Sequence, residues 1–196
     1  MEFFTIKNIF GVVAVALTFI GYAPYFLDLL RRKTKPHIFS WLIWAIIVSI
    51  IYALQVNAGA GIGSLVTLFV AIFSLLIFII GFKDGNKDIK KIDVVFLVLA
   101  LLTIPLWLVV KEPVLSIVLL STIDMLGFGP TIRKSWHNPY SETLSFYIIT
   151  TLRHTLSIVA LANYNIITVL FPATWVIANA FFSIMLILRR RKIKDR

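Results

Sequence analysis

GYAPYFLDLLRRKTKPHIFSWLIW, residues 21–44, returns 106 residues later as GFGPTIRKSWHNPYSETLSFYIIT, residues 127–150. Gly21 falls on Gly127 and Pro24 on Pro130. Each copy closes an apolar segment with Gly-x-x-Pro and passes through a basic loop with a second proline, Pro36 or Pro139. Each then enters a new apolar segment through a Ser-aromatic pair, Ser40-Trp41 or Ser145-Phe146. The second pair fits an offset of 105, a one-residue slip in the loop, where insertions are best tolerated. The pattern is that of an internal duplication.

Composition sets the solvent. Of the 196 residues, 60% are hydrophobic and 14% charged, and the mean hydropathy is +0.96. One soluble domain of this length cannot cover so much apolar surface, so a bilayer is the expected environment. The net charge of +10 raises the question of nucleic acid, which the placement of the basic residues answers. The absence of cysteine excludes disulfides, thiolate metal sites and cysteine nucleophiles.

Seven apolar stretches follow one another, over residues 9–30, 38–56, 62–82, 94–110, 114–132, 144–162 and 166–188. The first is about 33 Å long as a helix, enough for a hydrocarbon core of about 30 Å. It is too long for a signal peptide and has no small-residue cleavage site, so a retained helix is expected. The joints alternate in charge. Arg31, Arg32, Lys33 and Lys35 follow the first stretch, Lys83, Lys87, Lys90 and Lys91 the third, and Arg133 and Lys134 the fifth. Six more basic residues follow Leu188, whereas the other joints carry only Lys7 and Lys111. Basic residues gather on the cytoplasmic side of membrane proteins. The bias therefore predicts an external amino terminus and a cytoplasmic carboxyl terminus in the cell (inner) membrane, and removes the case for nucleic acid.

Two three-helix units separated by one helix must share an orientation. The expected fold is all-α and integral to the membrane: a first repeat over residues 1–84, a linker helix over 85–112 and a second repeat over 113–196. This is a 3+1+3 arrangement of parallel repeats, with a solute site between them at mid-depth. Within the linker stretch Thr103 is the one polar residue, which suits a lipid-facing tether, and Trp107 suits an interfacial anchor.

A proline near the basic end of the first and fifth helices, a short basic loop, then Ser and an aromatic residue resemble the PQ-loop superfamily. That superfamily includes the SWEET sugar transporters, lysosomal amino-acid exporters and the KDEL receptor. Here Pro24-Tyr25 and Pro130-Thr131 stand where the name-giving pair would be Pro-Gln. The stretches Ser-Trp-Leu-Ile-Trp and Arg-Lys-Ser-Trp-His also resemble a group of small bacterial seven-helix membrane proteins, a resemblance that implies no particular solute.

Helix midpoints put Asp124, Arg153, His154 and Asn179 near the bilayer centre, all in the second repeat. At the same depth the first repeat offers Thr18, Ser49 and Ser74. Buried charges in a bilayer are kept where they pair or line a wet cavity. Two readings stand open: Asp124 and Arg153 form a structural ion pair, or Arg153 holds an anionic group of a solute while Asp124 or His154 takes a proton. His154 shares a helical face with Tyr147, Thr150, Thr151 and Ser157, and Trp175 and Asn179 share one with Thr168, Pro172 and Ser183. A Trp ring beside an amide suits a sugar, nucleoside or amino acid, by stacking and directional hydrogen bonds. The resemblance to SWEETs implies the same role for Trp175 and Asn179. On the third helix the position matching Asn179 reads as apolar or Thr67. Gly21, Pro24, Gly127 and Pro130 form soft joints, with Tyr25 at a gate beside Tyr22 and Asp28. Trp41, Trp44 and Trp136 read as belt or gate residues.

Enzyme motifs are absent, as is any phosphate loop, so no catalysis and no cofactor are expected. The expected partners are a small-molecule solute and the lipid bilayer, and a homo-oligomer is left open. Transport of a small polar solute such as a sugar, vitamin, nucleoside or amino acid is the leading expectation, as a facilitator or coupled to protons. The alternative is a receptor or sorting protein of the same layout.

Overall fold

A computed structural model describes residues 6–32, 38–82, 91–140 and 142–194, and among these there are seven α-helices, one 3-10 turn and no strand. The helices are α1 (Ile6–Leu30), α2 (Ile38–Asn57), α3 (Leu65–Gly81), α4 (Lys91–Leu108), α5 (Pro113–His137), α6 (Leu144–Val159) and α7 (Ile166–Lys194). Four stretches, Ile6–Leu30, Phe39–Asn57, Gly61–Gly81 and Ile166–Lys192, are long and apolar enough to cross a membrane. The apolar parts of α4, α5 and α6 are shorter. Leucine, isoleucine and valine along α4 and along the outer faces of α1 and α3 are exposed, as expected of helices that meet lipid, where only a backbone bonded within its own segment is tolerated.

Helix ends depart from the sequence reading where side chains or backbone supply caps. The fifth helix runs on from residue 132 to His137, because its last carbonyls find donors: Arg189 Nε donates to the Trp136 carbonyl at 2.9 Å. Arg190 bonds the carbonyls of Pro139 and Glu142, at 3.0 and 2.6 Å, so α7 stays helical through its basic end and clamps the loop after α5. The third span begins as the 3-10 turn Gly61–Ser64, with Ser64 Oγ donating to the Gly61 carbonyl. The sixth helix stops at Val159 because the next turn leaves it to donate from the Ala162 amide to the Ala60 carbonyl at 2.9 Å.

The packing pattern repeats. Helix α3 packs against both α1 and α2, and α7 packs against both α5 and α6. Across the middle, α1 meets α6 and α2 meets α5, while α4 lies on α5 and α2. The repeated glycines sit at matching contacts. A Cβ on Gly21 would meet Ile149 Cγ2 at 3.6 Å, and one on Gly127 would meet Trp44 Nε1 at 3.6 Å. The end bearing the nearly uncharged joints is closed. Lys7 Nζ donates to the Leu161 carbonyl (2.7 Å), Ser157 Oγ to the Gly63 carbonyl (3.0 Å) and Gln55 Nε2 to the Thr168 carbonyl (3.2 Å). Gly63 admits no side chain, since a Cβ there would stand 2.6 Å from the Ser157 carbonyl oxygen.

Candidate functional site

A cavity of about 480 Å³ opens between the helices and extends toward the end carrying Asp28, Glu142 and the basic residues. Its walls come from matched positions. On α1 and α5, Gly21 and Gly127, Tyr22 and Phe128, and Tyr25 and Thr131 all border it, each pair 106 residues apart. With an offset of 105, Trp41 and Phe146, Trp44 and Ile149, and Val48 and Arg153 do the same on α2 and α6. So do Val70 and Trp175, and Ser74 and Asn179, on α3 and α7.

The six residues expected to meet a solute, Asp124, Thr150, Arg153, His154, Trp175 and Asn179, all border this cavity. Asp124, Arg153, His154 and Asn179 are each no more than 4% exposed. Gly21, Pro24, Tyr25 and Gly127 border it as well. Pro130 falls in α5, and its side chain lies outside the described residues, as do Lys33, Lys35, Pro36, His37 and residues 83–90.

The ion pair between Asp124 and Arg153 does not form. Helix α7 packs against both α5 and α6 and intercepts the carboxylate: Trp175 Nε1 donates to Asp124 Oδ2 at 2.7 Å. The Arg153 guanidinium lies over the Tyr22 ring instead, 5.3 Å from its centroid. Its Nε and Nη1 atoms are buried and have no hydrogen-bond partner, and the same is true of His154 Nδ1 and Thr150 Oγ1. A guanidinium keeps its charge and carries five donors, so a buried one with unused donors is a standing demand for an acceptor. Asn179 Nδ2 donates to the Trp175 backbone carbonyl at 2.7 Å, which fixes the Asn179 side chain along α7 one turn from Trp175.

Other expected members of the polar faces have different work. Ser157 belongs to the closed end through Gly63, and Thr168 bonds Asn163 and Asn165 at the start of α7. Thr151 Oγ1 bonds the Tyr147 carbonyl of its own helix. Trp41 and Trp44 form part of the cavity wall, with ring centroids 5.1 Å apart and Tyr25 5.2 Å from Trp41. Trp136 is half exposed and carries Arg189 over its ring at 4.9 Å. Tyr22, expected only beside a gate, is the aromatic seat of Arg153, and Ser74, expected only as a polar residue at mid-depth, borders the cavity 105 residues before Asn179 in place of the expected apolar residue or Thr67. The offset of 105 carried past Ser40 and Ser145 points to Ser74.

At the centre of the cavity the Asp124 carboxyl and the Arg153 guanidinium stand apart among aromatic rings. Phe128 stands 5.6 Å from Trp175 and 6.1 Å from Tyr147, and the Tyr147 hydroxyl donates to Glu142 Oε2 at 2.7 Å nearer the mouth. Among the described residues no group of His, Cys, Asp or Glu is arranged to hold a metal ion. No protein-family model, curated protein or solved structure matches this chain.

Proposed function

We propose that this chain is a membrane transporter of a small polar solute, of PQ-loop and SWEET-like layout, working by alternating access between two bundles, α1–α3 and α5–α7, joined by α4. The observation that carries the reading is the cavity: its walls are drawn from matched positions of the two halves, it is open at one end, and the other end is held shut by cross-bundle hydrogen bonds. A solute that enters from the open end reaches Arg153, Asp124 and Asn179 at mid-depth and goes no further until the closed end parts. The seal is made of a few hydrogen bonds from Lys7, Gln55 and Ser157 to backbone carbonyls, each of modest net strength. Gly21, Pro24, Gly127 and Pro130 lie where the bundles would flex, and Tyr25 with Trp41 would close the open end. Sixteen basic residues on one side favour an external amino terminus and a cytoplasmic carboxyl terminus in the cell membrane, so the open end faces the cytoplasm.

The test is uptake. Reconstituted in liposomes, the protein should accelerate the influx of at least one labelled sugar, nucleoside or amino acid that also raises its thermal midpoint, since a ligand that binds only the folded state stabilises it. A solute that stabilises the protein without crossing the membrane would turn the reading to a receptor or sorting protein. Reporters fused to the two termini should label from opposite sides; labelling from one side would remove the two-bundle arrangement.

A further inference from the structure

Asp124 and Arg153 border one cavity with opposite charges and do not neutralise each other. Each is held by an aromatic side chain that leaves it a further valence: the indole N–H takes one oxygen of Asp124, and Tyr22 seats the guanidinium while Arg153 Nε and Nη1 remain without an acceptor. A solute that carried only an anion would match Arg153 and add a net charge beside Asp124. One that carried only a cation would match Asp124 and face Arg153. Net charge brought to mid-depth in a membrane protein is costly, so a solute with both charges, each aligned to its opposite, is the occupant the site accommodates best. The walls around the two charges are rings, those of Tyr22, Phe128 and Trp175, which favour a flat apolar body by stacking.

We propose that the solute is a zwitterion with a flat ring, the chemical class of an aromatic amino acid: its carboxylate pairs with Arg153, its ammonium with Asp124, and its ring lies against Tyr22, Phe128 and Trp175. Thr150 Oγ1 and His154 Nδ1, both without a partner, stand on the same helix as Arg153 and supply further polar contacts. This rests on the reading of the cavity as a solute site and narrows it to one class.

The experiment is a ligand series on the purified full-length protein, read by calorimetry and thermal midpoint: tryptophan, indole-3-propionate without the ammonium, tryptamine without the carboxylate, glycine without the ring, and glucose. Tryptophan should bind, and removing any one of the three features should weaken binding by about tenfold or more, the scale of one lost charge-assisted contact or a lost buried ring. Arg153→Gln should erase the preference for tryptophan over tryptamine, and Asp124→Asn the preference over indole-3-propionate. Should either variant fail to fold, the series on the unaltered protein decides alone. Glucose or glycine binding as tightly as tryptophan overturns the proposal, and so does a folded protein whose midpoint none of the indoles moves. Liposome uptake separates the two levels: tryptophan bound but not carried sinks transport and leaves the zwitterion standing, whereas glucose carried and tryptophan not bound does the opposite.

Discussion

Val48 and Arg153 stand 105 residues apart and border the same cavity, one as an apolar side chain and the other as a buried cation. Val70 and Trp175, and Ser74 and Asn179, differ in the same direction. By contrast Gly21 and Gly127 are identical, and a Cβ added at either would stand 3.6 Å from a side chain of the opposite half. Shape is therefore held by small residues at the crossings of α1 with α6 and α2 with α5, where a larger side chain would push the bundles apart, while the wall chemistry is free to diverge. Two copies of Arg153 would place like charges across one low-dielectric cavity, a repulsion that water screens poorly there. A buried cation in only one half avoids it.

The largest effect expected from this contrast is at Arg153. Arg153→Met should weaken solute binding by 2–5 kcal/mol, about thirtyfold to several thousandfold, because a buried charged contact is lost. Val48→Met should leave affinity within about threefold. Stability tells a second story. Removing one member of a buried ion pair destabilises by about 3–5 kcal/mol, but Asp124 is held by Trp175 and not by Arg153. The thermal midpoint of Arg153→Met should accordingly fall far less than a broken ion pair demands. A collapse of folding in this variant, rescued by Asp124→Leu, would restore the ion-pair reading.

Trp175→Phe comes next. It keeps a ring and removes the donor to Asp124 Oδ2, leaving a buried carboxylate one hydrogen bond short, with a loss of about 1–3 kcal/mol in stability. Denaturant or thermal unfolding in detergent measures it. A midpoint equal to that of the parent protein would mean that Asp124 finds another donor, and the separation of charges described above would no longer hold.

Much of this was legible in the residues, for identifiable reasons. The number and order of helices follow from apolar runs punctuated by charge, and the residues expected to meet a solute follow from the expense of burying Asp124, Arg153 and Asn179 in an apolar segment. Their partners were not legible. Equal depth suggested that Asp124 and Arg153 meet, but depth is one coordinate of three, and the lateral order of helices puts α7 against both α5 and α6. The capping of α5 by Arg189 was hidden for the same reason, since it joins residues 53 apart. Ser74 was recoverable: the one-residue slip seen at Ser40 and Ser145 also applies to α3 and α7, and carrying it forward pairs Ser74 with Asn179.

That pair offers a finer test. Asn179 keeps a carbonyl oxygen for the cavity while its amide nitrogen holds the Trp175 carbonyl, so Asn179→Ala should reduce affinity by about five-fold to a hundred-fold, or 1–3 kcal/mol, if a polar group of the solute is left unpaired. Ser74→Ala removes a single hydroxyl and should change affinity by about tenfold at most. Titration of both variants with the same ligand decides it. Equal losses would make the cavity chemically two-sided, and no loss at Asn179 would take it out of the site.

The smallest equilibrium effect is expected at Pro24, where the two halves are alike. Pro24 lies inside α1 and borders the cavity, and its ring denies the Ile20 carbonyl an intrahelical donor. Gly21, one turn earlier, packs on Ile149 with room for a methyl group and little more. Pro24→Ala restores the missing hydrogen bond and stiffens α1 at the level of the crossing with α6, without removing any polar group from the cavity. Affinity should stay within about twofold while the rate of exchange across a liposome membrane drops severalfold, since the substitution acts on the motion and not on the pocket. Gly21→Ala, which adds one methyl at 3.6 Å from Ile149, should slow exchange less than Pro24→Ala. Unchanged uptake in Pro24→Ala would leave the proline a static kink, as membrane helices often contain, and would move the search for the flexing joint to Pro105 in α4 or Pro172 in α7.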